Sequence, residues 1–181
     1  MEVIKTELPE ILLVKPDVFS DNRGWFMETY SYERYKKFGI DVKFVQDNRS
    51  RTESKGTVRG LHFQKSPKAQ SKLVTCTRGS FIDVVVDIRK QSPTYKKWVA
   101  VELSEENKYQ LFVPKGFAHG FVALEDETEI LYKVDDFYSK EFDRSIRFDD
   151  PEIAVDWGIE NPILSEKDML APFLSQSDAD F

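Results

Sequence analysis

The sequence predicts an all-β protein, folded as an antiparallel sandwich or barrel. Three observations carry this. Short apolar runs recur at even spacing between turn residues. No helical pattern of ordinary length separates them, which argues against a parallel sheet with crossover helices. The eight Gly and eight Pro are scattered as turn marks, with no repeat, low-complexity tract or linker.

The elements follow in order. Ser31 is placed to cap a short helix over Tyr32 to Phe38, with Gly39 to end it. After a turn at Gly56, strands are predicted for Arg59 to Gln64 and for Lys72 to Thr77, the second closed by Arg78-Gly79. Phe81 to Arg89, rich in Val, Ile and Phe, is the clearest strand. The turn Lys90-Gln91-Ser92-Pro93 leads into Trp98 to Leu103, and Ser104-Glu105-Glu106 reads as one helical turn. Gln110 to Val113 stops at Pro114-Lys115-Gly116, Ala118 to Leu124 resumes, and Glu129 to Val134 completes the run. Upstream, Arg23 to Glu28 and Gln46-Asp47-Asn48 read as turn-and-strand segments with polar reach. The 181 residues fit one domain, with N-terminal strands over 1–55 and a core barrel over about 56–135. An aromatic, acidic, Pro-bearing tail over 136–181 packs on the barrel as turns and a short helix.

Composition narrows the function. A chain that is 40% hydrophobic and 32% charged has a globular composition. Its net charge of -6, without a block of Lys or Arg, argues against gripping a nucleic-acid backbone. No apolar run approaches the roughly 18 residues of a membrane span. Met1-Glu2-Val3-Ile4-Lys5 lacks the layout of a signal peptide, and the single Cys76 excludes an internal disulfide, so a cytoplasmic location is expected. Phosphate-loop, dinucleotide and nucleophile-elbow motifs are missing. One Cys and two His, with no H-x-H pair, make a poor metal set, so no metal and no cofactor are expected.

Strand parity selects candidate side chains, because alternate residues share a face. His62 shares a face with Gln64, Lys72 with Val74 and Cys76, His119 with Phe121 and Ala123, and Tyr132 with Ile130 and Val134. A barrel closing around such faces would have an apolar cavity with a few convergent polar groups. Singly, each residue has a plainer reading. The histidines read as core side chains bonded to carbonyls, Lys72 as a solvated edge lysine, Tyr132 as core, and Cys76 as an inert thiol. Asp83 and Asp87, on an apolar strand, need Arg or His partners across the sheet. Together, a base at His62, cations at Lys72, Arg23 and Arg59, and a phenol at Tyr132 suit proton transfer beside a carbonyl on an anionic substrate.

The chain carries, in order, Arg59-Gly60-Leu61-His62-Phe63-Gln64, Ala69-Gln70-Ser71-Lys72-Leu73-Val74, Asp83-Val84-Val85-Val86-Asp87-Ile88-Arg89, Ser92-Pro93-Thr94-Tyr95, Pro114-Lys115-Gly116-Phe117-Ala118-His119-Gly120-Phe121, Tyr132-Lys133 and Leu164-Ser165-Glu166-Lys167-Asp168. These motifs resemble those of the dTDP-4-dehydrorhamnose 3,5-epimerase family. The resemblance runs from about Asp21 to Pro172, with the motifs in order. It implies a cupin-type double-stranded β-helix, or jelly-roll barrel, free of metal. It implies His62 as the base that removes protons at C3 and C5 of a dTDP-4-keto sugar, and Asp168 as the carboxylate that orients it. Lys72 resembles the enolate-stabilising cation and Tyr132 the acid on the opposite face. Arg23, Phe26, Glu28, Gln46, Asn48, Arg59, His119, Tyr138, Asp143 and Lys167 match positions that bind the dTDP-sugar. Tyr138 matches the one stacked on thymine. The Arg23 to Glu28 strand would reach a neighbouring subunit's site, which implies a homodimer. Two departures stand out: Asp143 where Glu is expected, and Gly158 after Trp157 where Pro is usual. The implied product is dTDP-4-keto-L-rhamnose. The alternatives are a single-centre epimerase, a non-catalytic sugar-nucleotide-binding cupin, and a metal-dependent cupin oxygenase.

Overall fold

The computed structural model describes residues 1–181. In chain order its elements are β1 (Glu2–Lys5), β2 (Leu12–Lys15), β3 (Val18–Asp21), β4 (Gly24–Met27), α1 (Tyr32–Lys36), β5 (Gln46–Thr52), β6 (Val58–Gln64), β7 (Lys72–Arg78), β8 (Ser80–Asp87), β9 (Trp98–Ser104), β10 (Gln110–Val113), β11 (Phe117–Ala123), β12 (Thr128–Val134), β13 (Asp143–Ser145) and α2 (Glu166–Met169). A 3-10 turn, Leu174–Gln176, follows. The larger sheet has the order β1-β2-β10-β7-β12-β5, and the smaller β13-β6-β11-β8-β9. The pairings are antiparallel throughout. β3 and β4 pair only with each other. The fold is the all-β, cupin-like jelly roll expected. No helix is long and apolar enough to cross a membrane.

Alternation along the strands sorts the apolar residues into layers. Val74 and Cys76 of β7, Leu111 and Val113 of β10 and Ile130 of β12 meet Phe81 and Val85 of β8 and Phe121 of β11 between the two sheets. The outward residues of the smaller sheet, among them Val84, Val86, Ala118 and Val122, are covered by Ile146, Ile153, Trp157 and Leu174 of the C-terminal tail. The outer face of the larger sheet is covered by Tyr35 and Ile40, which pack on Leu12, Val14, Leu73 and Phe112. Each such aliphatic side chain contributes roughly 1.5–3 kcal/mol through burial. Both sheets are therefore packed on two faces, which explains why β8 is apolar almost throughout.

Two local expectations are corrected. Helix α1 ends at Lys36, short of Phe38, because the Phe38 amide bonds the Tyr35 carbonyl at 3.0 Å and the Gly39 amide the Lys36 carbonyl at 3.1 Å, three-residue bonds that tighten the last turn. The Ser31 side chain makes no capping bond. Ser104-Glu105-Glu106 forms the single turn expected: the Lys108 amide bonds the Ser104 carbonyl at 3.0 Å. Ser104, the last residue of β9, caps it, its hydroxyl accepting from the Asn107 amide at 3.0 Å while the Asn107 side chain accepts from the Ser104 amide at 3.1 Å. At the departure noted after Trp157, Gly158 has φ +65, which a proline ring cannot adopt.

The strand carrying His62 contains a bulge. His119 pairs with His62, but Phe121 pairs with Arg59, so β6 holds one more residue than β11 there. The extra residue lets Arg59 and His62, three positions apart, both face inward. The backbones touch at this point. A Cβ on Gly60 would lie 2.5 Å from the Gly120 Cα, and one on Gly120 would lie 2.8 Å from the Arg59 carbonyl. Gly120→Ala should therefore lower stability by about 1–3 kcal/mol and disturb the β6–β11 contact. Denaturant unfolding checks this, and a midpoint equal to wild type would refute it.

Candidate active site

Between the sheets lies a cavity of about 570 Å³. From the smaller sheet, β6 lends Arg59, His62 and Gln64, and β11 lends His119 and Phe121. From the larger sheet, β5 lends Gln46, Asn48 and Ser50, β7 lends Lys72, and β12 lends Ile130 and Tyr132. Tyr138, Asp143, Lys167 and Asp168 come from the C-terminal tail. All residues expected at the site line this cavity except Arg23, Phe26 and Glu28.

Those three were expected to serve a neighbouring subunit's site and lie outside the cavity of this chain. They belong to the β3–β4 hairpin and the residue after it, and the hairpin joins neither large sheet. Arg23 donates to Asp21 at 2.6 Å, Glu28 pairs with Arg34 at 3.3 Å, and Phe26 is 68% exposed. Phe19 and Trp25 are exposed beside it.

His62 Nε2 lies 2.6 Å from Asp168 Oδ1. Asp168 opens α2, where the Ser165 hydroxyl accepts its amide at 3.1 Å as an N-cap. Burial alone would raise the Asp168 carboxyl, but the hydrogen bond and charge of His62 outweigh it and hold it below the usual carboxylate range. An ionised Asp168 accepts the Nε2 proton, which leaves the other ring nitrogen of His62 as a proton acceptor.

Lys72 and Tyr132 stand on the opposite wall. Neither the Lys72 ammonium nor the Tyr132 hydroxyl has a hydrogen-bonding partner in the fold, so both point groups are unclaimed. Burial lowers Lys72 to about 8, while the Asp83 and Asp143 carboxylates oppose the fall. Burial, with Asp143, raises the Tyr132 phenol, and Arg59 opposes it. Lys72 is thus half-buried and not the solvated edge lysine of the plainer reading. His119 Nε2 meets the buried Asp83 Oδ1 at 2.5 Å, and burial holds His119 below its ordinary value. Both histidines bond carboxylates where the plainer reading had carbonyls. Asp87 pairs with Arg89 at 2.7 Å, outside the cavity. Cys76 is buried, and burial pushes its thiol up to about 11, as befits an inert core residue.

The remaining polar groups are anchored. Arg59 donates to the Thr52 hydroxyl and the Arg51 carbonyl, each at 3.2 Å. Lys167 meets Asp143 at 2.7 Å. Gln46 donates to Asn48 at 2.8 Å and accepts from the Tyr138 amide at 3.2 Å. Ser50 was not singled out from the sequence, and Gln64 only as sharing a face with His62. Ser50 follows Gln46 and Asn48 at the strand period of two, a signal that could have found it. Gln64 accepts from the Ser139 amide at 2.6 Å and so ties β6 to the loop bearing Tyr138. No cluster of three or more metal-ligating side chains occurs.

Fold and cavity define a cupin-type barrel whose interior is equipped for acid–base chemistry on a small molecule. The family model described as dTDP-4-dehydrorhamnose 3,5-epimerase matches residues 5–176, and the chain belongs to that family. The dTDP-4-dehydrorhamnose 3,5-epimerase of Shigella flexneri is 52% identical over 170 residues, 93% of each chain. The crystal structure of the dTDP-6-deoxy-D-glucose-3,5-epimerase of Legionella pneumophila, in complex with dTDP-4-keto-L-rhamnose, is 44% identical with a TM-score of 0.93. It covers 98% of this chain and 94% of its own. A 3'-monoepimerase from Streptomyces bikiniensis in complex with dTDP-quinovose is 29% identical with a TM-score of 0.88, covering 94% and 87%.

Proposed function

We propose that this chain inverts C3 and C5 of dTDP-4-keto-6-deoxy-D-glucose to give dTDP-4-keto-L-rhamnose. One observation carries the mechanism. The carboxylate-bonded His62 and the phenol of Tyr132 come from opposite sheets, so a sugar ring between them meets a base on one face and an acid on the other. His62 takes the proton from a carbon beside the C4 ketone, and Asp168 holds the ring and balances the imidazolium. The electrons move to the C4 oxygen, where the Lys72 ammonium stabilises the enolate. Tyr132, held protonated by its raised pKa, returns a proton from the opposite face and inverts the centre. C3 and C5 flank the same ketone, so one cation serves both. Solvent then restores the proton on Tyr132 and removes the one on His62.

Arg59 and Lys167 supply positive charge for the diphosphate, with Asp143 bridging to Lys167, and Tyr138 offers a face to the thymine. Gln46, Asn48 and His119 provide polar contacts along the substrate. The exposed Arg23, Phe26 and Glu28 would complete the site of a second copy, which makes the working unit a homodimer. Light scattering tests that state. The single buried thiol of Cys76 suits the cytoplasmic setting expected.

Incubation with the dTDP-keto sugar in D2O, followed by NMR, tests the activity. Deuterium and inversion at both carbons are expected. Change at one carbon would make the chain a single-centre enzyme, the reading favoured by its likeness to the Streptomyces protein. No exchange would leave a binding protein. Tyr132→Phe should keep part of the C–H exchange while losing inversion, because the base side still works. Equal loss of both would remove the separate donor role.

A further inference from the structure

The interior holds a second histidine–carboxylate pair, whose carboxylate, Asp83, has no task in the chemistry above. Asp83 lies on β8 between Phe81 and Val85, which face inward, and is 0% exposed. Its Oδ1 meets His119 Nε2 at 2.5 Å, and its Oδ2 has no hydrogen-bond partner. A buried carboxylate oxygen left unpaired is costly unless a positive charge lies near. Lys72 is the reciprocal case: it shares an inward face with Val74 and Cys76 and has neither ion pair nor hydrogen bond.

We propose that Asp83 is a positioning residue for the epimerisation, its buried carboxylate being the counter-charge that holds the Lys72 ammonium at the ketone while Oδ1 fixes the His119 ring. The proposal rests on the epimerase reading. The charged and titratable groups around Lys72 are Asp83 on β8, Asp143 on β13, Tyr132 on β12, His119 on β11, and Arg59 and His62 on β6. Among those acting on Lys72, Asp83 is the foremost charge opposing its desolvation, ahead of Asp143. His119 does not balance Asp83, because burial favours its neutral ring. Lys72 is left as the cation for this carboxylate.

Asp83→Asn preserves size and a bond to His119 but removes the charge. With lysine labelled by ¹³C at Cε, the Lys72 resonance, assigned by its loss in Lys72→Met, should titrate about one unit or more lower than in wild type. At a pH near 8, kcat should fall about tenfold with little change in KM, and the basic limb of the rate profile should move down with the lysine. Adding Asp83→Asn to Lys72→Met should change the rate by less than about twofold. An unmoved lysine titration in a folded Asp83→Asn, or the same tenfold loss in the Lys72→Met background, would make Asp83 merely structural. If Asp83→Asn does not fold, Lys72→Met gives the reciprocal readout, since it strands an unbalanced carboxylate. Its thermal midpoint should fall below that of wild type, with Lys72→Arg, which keeps the cation, restoring it, and a folded Lys72→Met as stable as wild type would overturn the proposal. The lysine titration needs no substrate. It therefore distinguishes failure of this inference from failure of the epimerase activity, which the D2O experiment reports alone.

Discussion

His62→Ala should lose solvent deuterium incorporation at both C3 and C5 together, by about 10²-fold or more in rate. Its partner, Asp168, is buried and ionised, so the ring is fixed with a proton on Nε2 and a lone pair on the other nitrogen. His119 also bonds a carboxylate, Asp83, but its side chain is 11% exposed against 33% for His62, and Lys72 remains protonated up to a pH of about 8. Removing the His62 imidazole therefore removes the base for both carbons at once, and an unequal loss would imply two bases. Binding of dTDP alone should change little, because Arg59, Lys167 and Tyr138 are untouched. Near-normal exchange in a folded His62→Ala would end the assignment.

Much of this arrangement was legible because period-two alternation survives in the strands. His62 and Gln64, Lys72 and Val74, and Tyr132 and Ile130 do share inward faces. The bulge at Gly60 was not legible. It shifts parity within one strand, so Arg59 and His62 face the same way at a spacing that alternation would divide. The acid partner of His62 was equally hidden from local pattern. Asp168 stands 106 positions away and is delivered by tertiary packing of the tail, so only the family resemblance pointed to it. The need of Asp83 for a partner was readable from its place on an apolar strand, and His119 meets it at Oδ1 alone. What lies beyond one chain stayed out of reach for a physical reason. Phe19, Trp25 and Phe26 are exposed on a hairpin that joins neither large sheet, with only Lys108 over the Trp25 ring, and a single strand's alternation carries no mark of what would cover such a face.

Lys72→Met should lower kcat by roughly 10²–10³-fold with a small change in KM. Before proton removal the C4 ketone is neutral. Afterwards its oxygen carries negative charge, so an ammonium there binds the transition state far better than the substrate. Lys72 makes no hydrogen bond or ion pair within the chain, and its charge sits beside Val74 and Cys76, where water screens it poorly. Met keeps the stem as far as Cε and removes the ammonium, with its charge and its hydrogen-bond donors. The diphosphate depends on Arg59 and Lys167 instead, so Arg59→Ala should raise KM and spare kcat. The pH dependence follows from the same ammonium. Burial lowers Lys72 to about 8, so the cation is present below that value and lost above it. The wild-type rate should fall on the basic side near a pH of about 8, and Lys72→Met, already without the cation, should lack that limb. If Lys72→Met instead raised KM at constant kcat and kept the basic limb, Lys72 would be a phosphate anchor and the enolate would need another stabiliser.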